Sequence, residues 1–115
     1  MSESTYNSLM AIGIDVEKGK EKFNGNIDLY LIFLKKLLES DDIHELDFHI
    51  SRENITQAVF AASALTTESQ QLYADSISDC LIDIEEALKN NDIETARKST
   101  LVLSDMVNSI KNIIK

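Results

Sequence analysis

Four acidic side chains, Asp75, Asp79, Asp83 and Glu86, recur at four- and three-residue steps and share one face if the segment is helical. Carboxylates so spaced could hold a metal ion if a second helix supplied ligands opposite them. They lie across the helix from the apolar series Tyr73, Ile77, Cys80, Leu81, Ile84 and Leu88, so a solvated acidic face without metal is expected. Cys80 belongs to that apolar series; burial predicts an unreactive thiol, and a lone cysteine has no partner for an internal disulfide. The two histidines, His44 and His49, stand in no zinc-type spacing. No glycine-rich phosphate loop, nucleophile elbow or catalytic triad can be assembled, and no cofactor is expected.

The 115 residues carry 11 basic and 20 acidic side chains, a formal charge of −9. That balance argues against nucleic acid, whose phosphates need a basic face, and against an anionic membrane surface. At 43% hydrophobic residues the chain can build a core. It contains no proline and three glycines, too little punctuation for a β-meander. Long helices joined by polar turns are the alternative. The segment Met1–Thr5 has neither the basic flank nor the apolar run of a signal peptide. The longest apolar run, Leu29–Leu34, is far below the ~20 residues of a membrane helix. A soluble, cytoplasmic protein is expected, a single domain over residues 13–115 preceded by an arm over 1–12.

The apolar positions fall into helical registers broken at polar hinges. Residues 5–11 read as a short amphipathic arm ended by Gly13. Asp15 can cap a short helix with Val16 and Phe23 inward, ending at Asn24-Gly25-Asn26. Asn26 can cap a stronger helix whose stripe is Ile27, Tyr30, Leu31, Leu34 and Leu38, broadened by Phe33 and Leu37. Leu29 and Ile32 fall on its far side. After Ser40-Asp41-Asp42, a short helix places Ile43, Leu46 and Ile50 inward. From Asn54, apolar residues repeat at Ile55, Ala58, Val59, Ala62 and Leu65. The helix of the Ile77–Leu88 series follows, and Asn90-Asn91-Asp92 opens a last one burying Ala96, Thr100, Leu103, Val107, Ile110 and Ile114. Beside that stripe, Val102, Met106 and Ile113 could receive the arm or a partner. Four principal helices with short connections predict an all-α, antiparallel four-helix bundle with short N-terminal helical segments.

The run Gly13-Ile14-Asp15-Val16-Glu17-Lys18-Gly19, then Phe23-Asn24-Gly25-Asn26 and Leu29-Tyr30-Leu31-Ile32-Phe33-Leu34, resembles the opening of a histidine-phosphotransfer (HPt) domain. All three glycines lie in this stretch: Gly13 and Gly25 suit tight turns, and Gly19 leaves room for helix packing. Leu81-Ile82-Asp83-Ile84-Glu85-Glu86-Ala87-Leu88 matches a later helix of the family. Counting back at the family's spacing sets Ala62-Ser63-Ala64-Leu65-Thr66-Thr67 on its phosphoacceptor motif, small–His–x–Leu–Lys–Gly. The resemblance covers residues 13–110.

It implies a two-component phosphorelay role, with one departure. Ser63 stands where the family has histidine, Thr66 where it has lysine, Thr67 where it has glycine. An imidazole, with a pKa of about 6.5, is a neutral nitrogen nucleophile whose phosphoramidate passes phosphate on reversibly. A serine hydroxyl is a weak nucleophile without an adjacent base, and its phosphate ester is too stable to hand over. The resemblance therefore implies a domain that binds a response-regulator receiver domain or histidine kinase without carrying phosphate, as a monomer or weak dimer. If Ile55, Ala58 and Ala62 are the buried side, Thr56, Phe60, Ser63, Thr67 and Gln70 point outward, with Thr66 beside them and Ile32 and Leu29 extending the patch. Two alternatives stand beside this reading: phosphotransfer through His49 or His44, and self-association through the Val102, Met106 and Ile113 strip.

Overall fold

The structure, a computed structural model, describes all 115 residues. It is all-helical, with seven α-helices and no strand: α1 (Glu3–Ala11), α2 (Val16–Lys22), α3 (Ile27–Leu38), α4 (Asp41–Ser51), α5 (Ile55–Gln71), α6 (Asp75–Lys89) and α7 (Ile93–Ile113). No helix is long and apolar enough to cross a membrane.

A single turn design recurs along the chain. After α4, Glu53 takes a positive φ of 56°, with Asn54 N–H donating to His49 O at 2.8 Å and Glu53 N–H to Ile50 O at 3.0 Å. This is the nested bond pair of a Schellman cap, which satisfies the orphan carbonyls at a helix end. The same pair closes α1 at Gly13, α2 at Asn24, α5 at Tyr73 and α6 at Asn91. The residue one or two places on then starts the next helix. Asp15, Asn26 and Asp92 accept from the backbone N–H three residues ahead at 3.1, 3.1 and 3.2 Å. Asp92 also accepts from the Thr95 hydroxyl at 2.7 Å, and the Thr95 donors hold its carboxyl below the usual range. That contribution is complete above the ordinary aspartate pKa and disappears as pH falls through the lowered one. With these caps, helices reverse without proline and mostly without glycine.

The expected stripes are inward. α6 buries Ile77, Cys80, Leu81, Ile84 and Leu88; α7 buries Ala96, Thr100, Leu103, Val107 and Ile110. α5 packs between α4 and α6, α6 packs on α7, and α7 returns to α4, closing a ring of four. The short helix over residues 41–51 takes this place beside α5 and α7; α3, with the wider apolar stripe, touches both less extensively. Two further details differ from the sequence reading. Tyr73 lies in the left-handed turn and not in the α6 stripe. Phe33 is exposed at 41%. Within the segment 1–12, α1 lies on α2 and α7, and Leu9 is fully buried in the common core.

The N-terminal helices are fastened to the α5–α6 turn. The Tyr30 ring is fully buried and its hydroxyl donates to Leu72 O at 2.6 Å. Burial, then the negative charges of Asp15 and Asp75, pushes this phenol upward, so it remains a donor. Gly19 makes room for it: a Cβ there would collide with the Tyr30 ring. Lys22 Nζ donates to Gln71 O at 2.6 Å, and Asp15 N–H to Tyr73 O at 2.9 Å. Gly13, at φ +90°, abuts Ser76 and accepts from its N–H at 3.0 Å.

Tyr30→Phe leaves the Leu72 carbonyl buried and unpaired and lowers unfolding free energy by about 1–3 kcal/mol in chemical denaturation. Glu53→Gly relieves a left-handed residue at an exposed turn and raises stability by up to about 1 kcal/mol in the same assay.

Candidate functional site

α5 positions the candidate surface. Its inner side is small, with Ala58, Ala61, Ala62, Leu65 and Ser69 buried, which brings the helix close to α4 and α6. Ser69 would be an awkward core residue alone. Its hydroxyl lies 2.8 Å from that of Ser78 on α6, and both also reach helix carbonyls, Thr66 O and Ala74 O. A satisfied polar pair of this kind fixes the register of the two helices.

On the outer side, Thr56, Phe60, Ser63, Thr67 and Gln70 occupy a sector of roughly 80° at 100° per residue. Phe60 is 70% exposed, the most exposed large apolar side chain of the chain. Thr56, Thr67 and Gln70 are exposed and Ser63 half-buried. Thr67 donates back to Ser63 O at 3.2 Å, so the centre of the stripe is a shallow hydroxyl-bearing surface with no base next to the Ser63 hydroxyl. Thr66 is turned aside. Half-buried, it donates to Ala62 O at 2.8 Å and lies 3.3 Å from Glu85 on α6, whose other oxygen pairs with Lys89 at 3.6 Å. It therefore flanks the stripe. Ile32 (52%) and Leu29 (38%) are exposed on α3, a neighbouring helix.

Neither histidine lies on α5. His44 is exposed in the first turns of α4 among Asp41, Asp42, Glu45 and Asp47. His49 is half-buried in the last turn of α4, edge-on to Phe48 at 5.4 Å, with Nδ1 3.5 Å from Asn54 Nδ2. No hollow encloses either ring in mid-helix.

One exposed aromatic went unnoticed in the sequence pattern. Phe48 on α4 is 51% exposed and carries the Arg52 guanidinium 4.9 Å above its ring. α4 and α5 are joined by a three-residue turn, 52–54, so Phe48 and Phe60 stand near the same level on adjacent antiparallel helices. The signal was available, because Phe48 lies off the Ile43, Leu46 and Ile50 stripe.

The acidic series Asp75, Asp79, Asp83 and Glu86 is exposed, opposite the buried stripe of α6. Cys80 is buried, its Sγ donating to Ser99 O at 3.4 Å. Burial, followed by the charge of Asp83, pushes its thiol upward. Met106 and Ile113 are half-buried against the core, leaving Val102 as the exposed member of the α7 strip at 55%.

Comparison of the chain with protein-family models, with curated proteins and with solved structures returns no match.

At neutral pH the Cys80 thiol will resist a thiol-specific reagent in the native protein and react stoichiometrically once denatured; rapid native labelling would contradict its burial.

Proposed function

We propose that this chain is a phosphate-silent, HPt-like signalling domain of the cytoplasm. In this reading α4–α7 form its antiparallel four-helix bundle. The outer face of α5 docks a response-regulator receiver domain or a histidine kinase, and Ser63 occupies the phosphoacceptor position without carrying phosphate. The observation that carries it is Phe60: a large aromatic left in water one helical turn before Ser63, on the same sector of α5. Exposing such a ring is unfavourable unless a partner covers it, and aromatic anchors dominate many interfaces. The closed contact ring of α4–α7 supports the bundle assignment. The resemblance of residues 13–110 supplies the partner class. The domain works as a monomer or weak dimer, competing with an active phosphotransfer protein or holding a receiver in one state.

The chemistry agrees with silence at this position. The outer residues of α5 around Ser63 supply hydroxyls, an amide and a phenyl ring, with no imidazole or ammonium among them. A phosphoryl group arriving there would meet no nucleophile of suitable pKa on the outer side of α5.

Receiver and kinase domains from the same cell, passed over the immobilised chain, will retain at least one partner. Phe60→Asp, at a position too exposed to unfold the protein, will weaken that retention at least tenfold, a typical anchor loss. Absence of any retained receiver or kinase defeats the docking reading. In a second assay, a phosphorylated receiver will leave the wild-type chain unlabelled, whereas Ser63→His will acquire an acid-labile phosphoryl group. Wild-type labelling that disappears in His49→Gln or His44→Gln would instead establish phosphotransfer through a displaced histidine.

A further inference from the structure

A cavity of about 460 Å³ opens where the end of α2, the second half of α3 and the last turns of α5 meet. Its size lies within the ~300–1,000 Å³ common for small-ligand sites. Phe23, Phe33, Leu37 and Leu72 form its apolar wall, with the Phe23 and Phe33 rings stacked at 5.3 Å and 26°. Lys22 and Lys36 stand at its edge.

Neither lysine is used up in an ion pair. The ion pairs present use Lys18, Lys89 and Lys98 and leave the other basic residues, these two among them, unpaired. Neither Lys22 nor Lys36 has a carboxylate within pairing distance. Lys22 spends one N–H on Gln71 O and keeps two. The Lys36 ammonium sits 5.4 Å from the centre of the Phe33 ring, where the π face holds it beside the opening. The one acidic side chain on the wall is Glu68, which is exposed.

We propose that this cavity binds a small apolar carboxylate, its ring or chain against Phe23, Phe33, Leu37 and Leu72 and its anionic end between Lys22 and Lys36. The apolar wall supplies most of the affinity and the two ammonium groups select the anion over a neutral or cationic analogue. The site is separate from the Phe60 sector, and its occupancy does not depend on the docking reading.

Titration of the full-length protein with naphthylacetate, followed by amide chemical shifts, will move the signals of Phe33, Leu37 and Gln71 in a saturable manner. Naphthylethanol and naphthylethylamine, which keep the ring system without the negative charge, will bind at least tenfold more weakly. Lys36→Glu and Phe33→Ala, both at exposed positions, will each weaken naphthylacetate at least tenfold while leaving the fold intact by circular dichroism. Equal binding of the alcohol, unchanged binding to Lys36→Glu, or shifts confined to other parts of the protein would each overturn the assignment. Retention of a receiver by a chain that fails this titration would leave the docking reading standing.

Discussion

Three successive carbonyls at the end of α5 receive donors from three different parts of the N-terminal region. Gln71 O takes the Lys22 ammonium, Leu72 O the Tyr30 hydroxyl and Tyr73 O the Asp15 amide. A helix C-terminus carries unpaired acceptors and partial negative charge. Here tertiary donors, a cation among them, reach the carbonyls that the local Schellman pair at Tyr73 leaves free. The arrangement makes the α5–α6 corner the anchor for α2 and α3. Through Gly19, which must remain without a side chain for Tyr30 to reach its acceptor, it also explains why two distant stretches of sequence must match.

With that corner held, the outward direction of α5 follows. Ser69 and Ser78 fix the helix against α6, the alanines set its depth, and the residues left over on the far side are Thr56, Phe60, Ser63, Thr67 and Gln70. The surface is therefore a product of core geometry and does not depend on a flexible loop. Its lack of an imidazole is equally structural, since both histidines belong to α4 and neither can slide onto α5 without changing helix.

Much of this could be read along the chain, because helix stripes and caps are local. Asp15, Asn26 and Asp92 were recognisable as caps from their polarity and place, and the α6 and α7 stripes from their period. Phe60 was assigned outward by the same arithmetic. What could not be read is long-range or rests on unusual backbone. Tyr73 continues an apolar period but turns left-handed because α5 must end there, and nothing in side-chain type announces a bulky ring at positive φ. Phe33 sits at the edge of its stripe, where a rotation of α3 decides exposure. The preference of α4 over α3 as the close neighbour of α5 depends on chain reversal after Ser51, a tertiary outcome that amphipathic width does not encode.

The turns have a kinetic consequence. Each of the ring helices α4–α7 packs on its neighbour in sequence across connections of three residues, and the chain contains no proline. Local contacts shorten the search for the native topology, and no prolyl isomerisation delays it. The donors to the α5 terminus come from 42 to 58 positions upstream. Seating the N-terminal segment on that corner thus closes longer loops, at a greater entropic cost, than pairing the last four helices with one another.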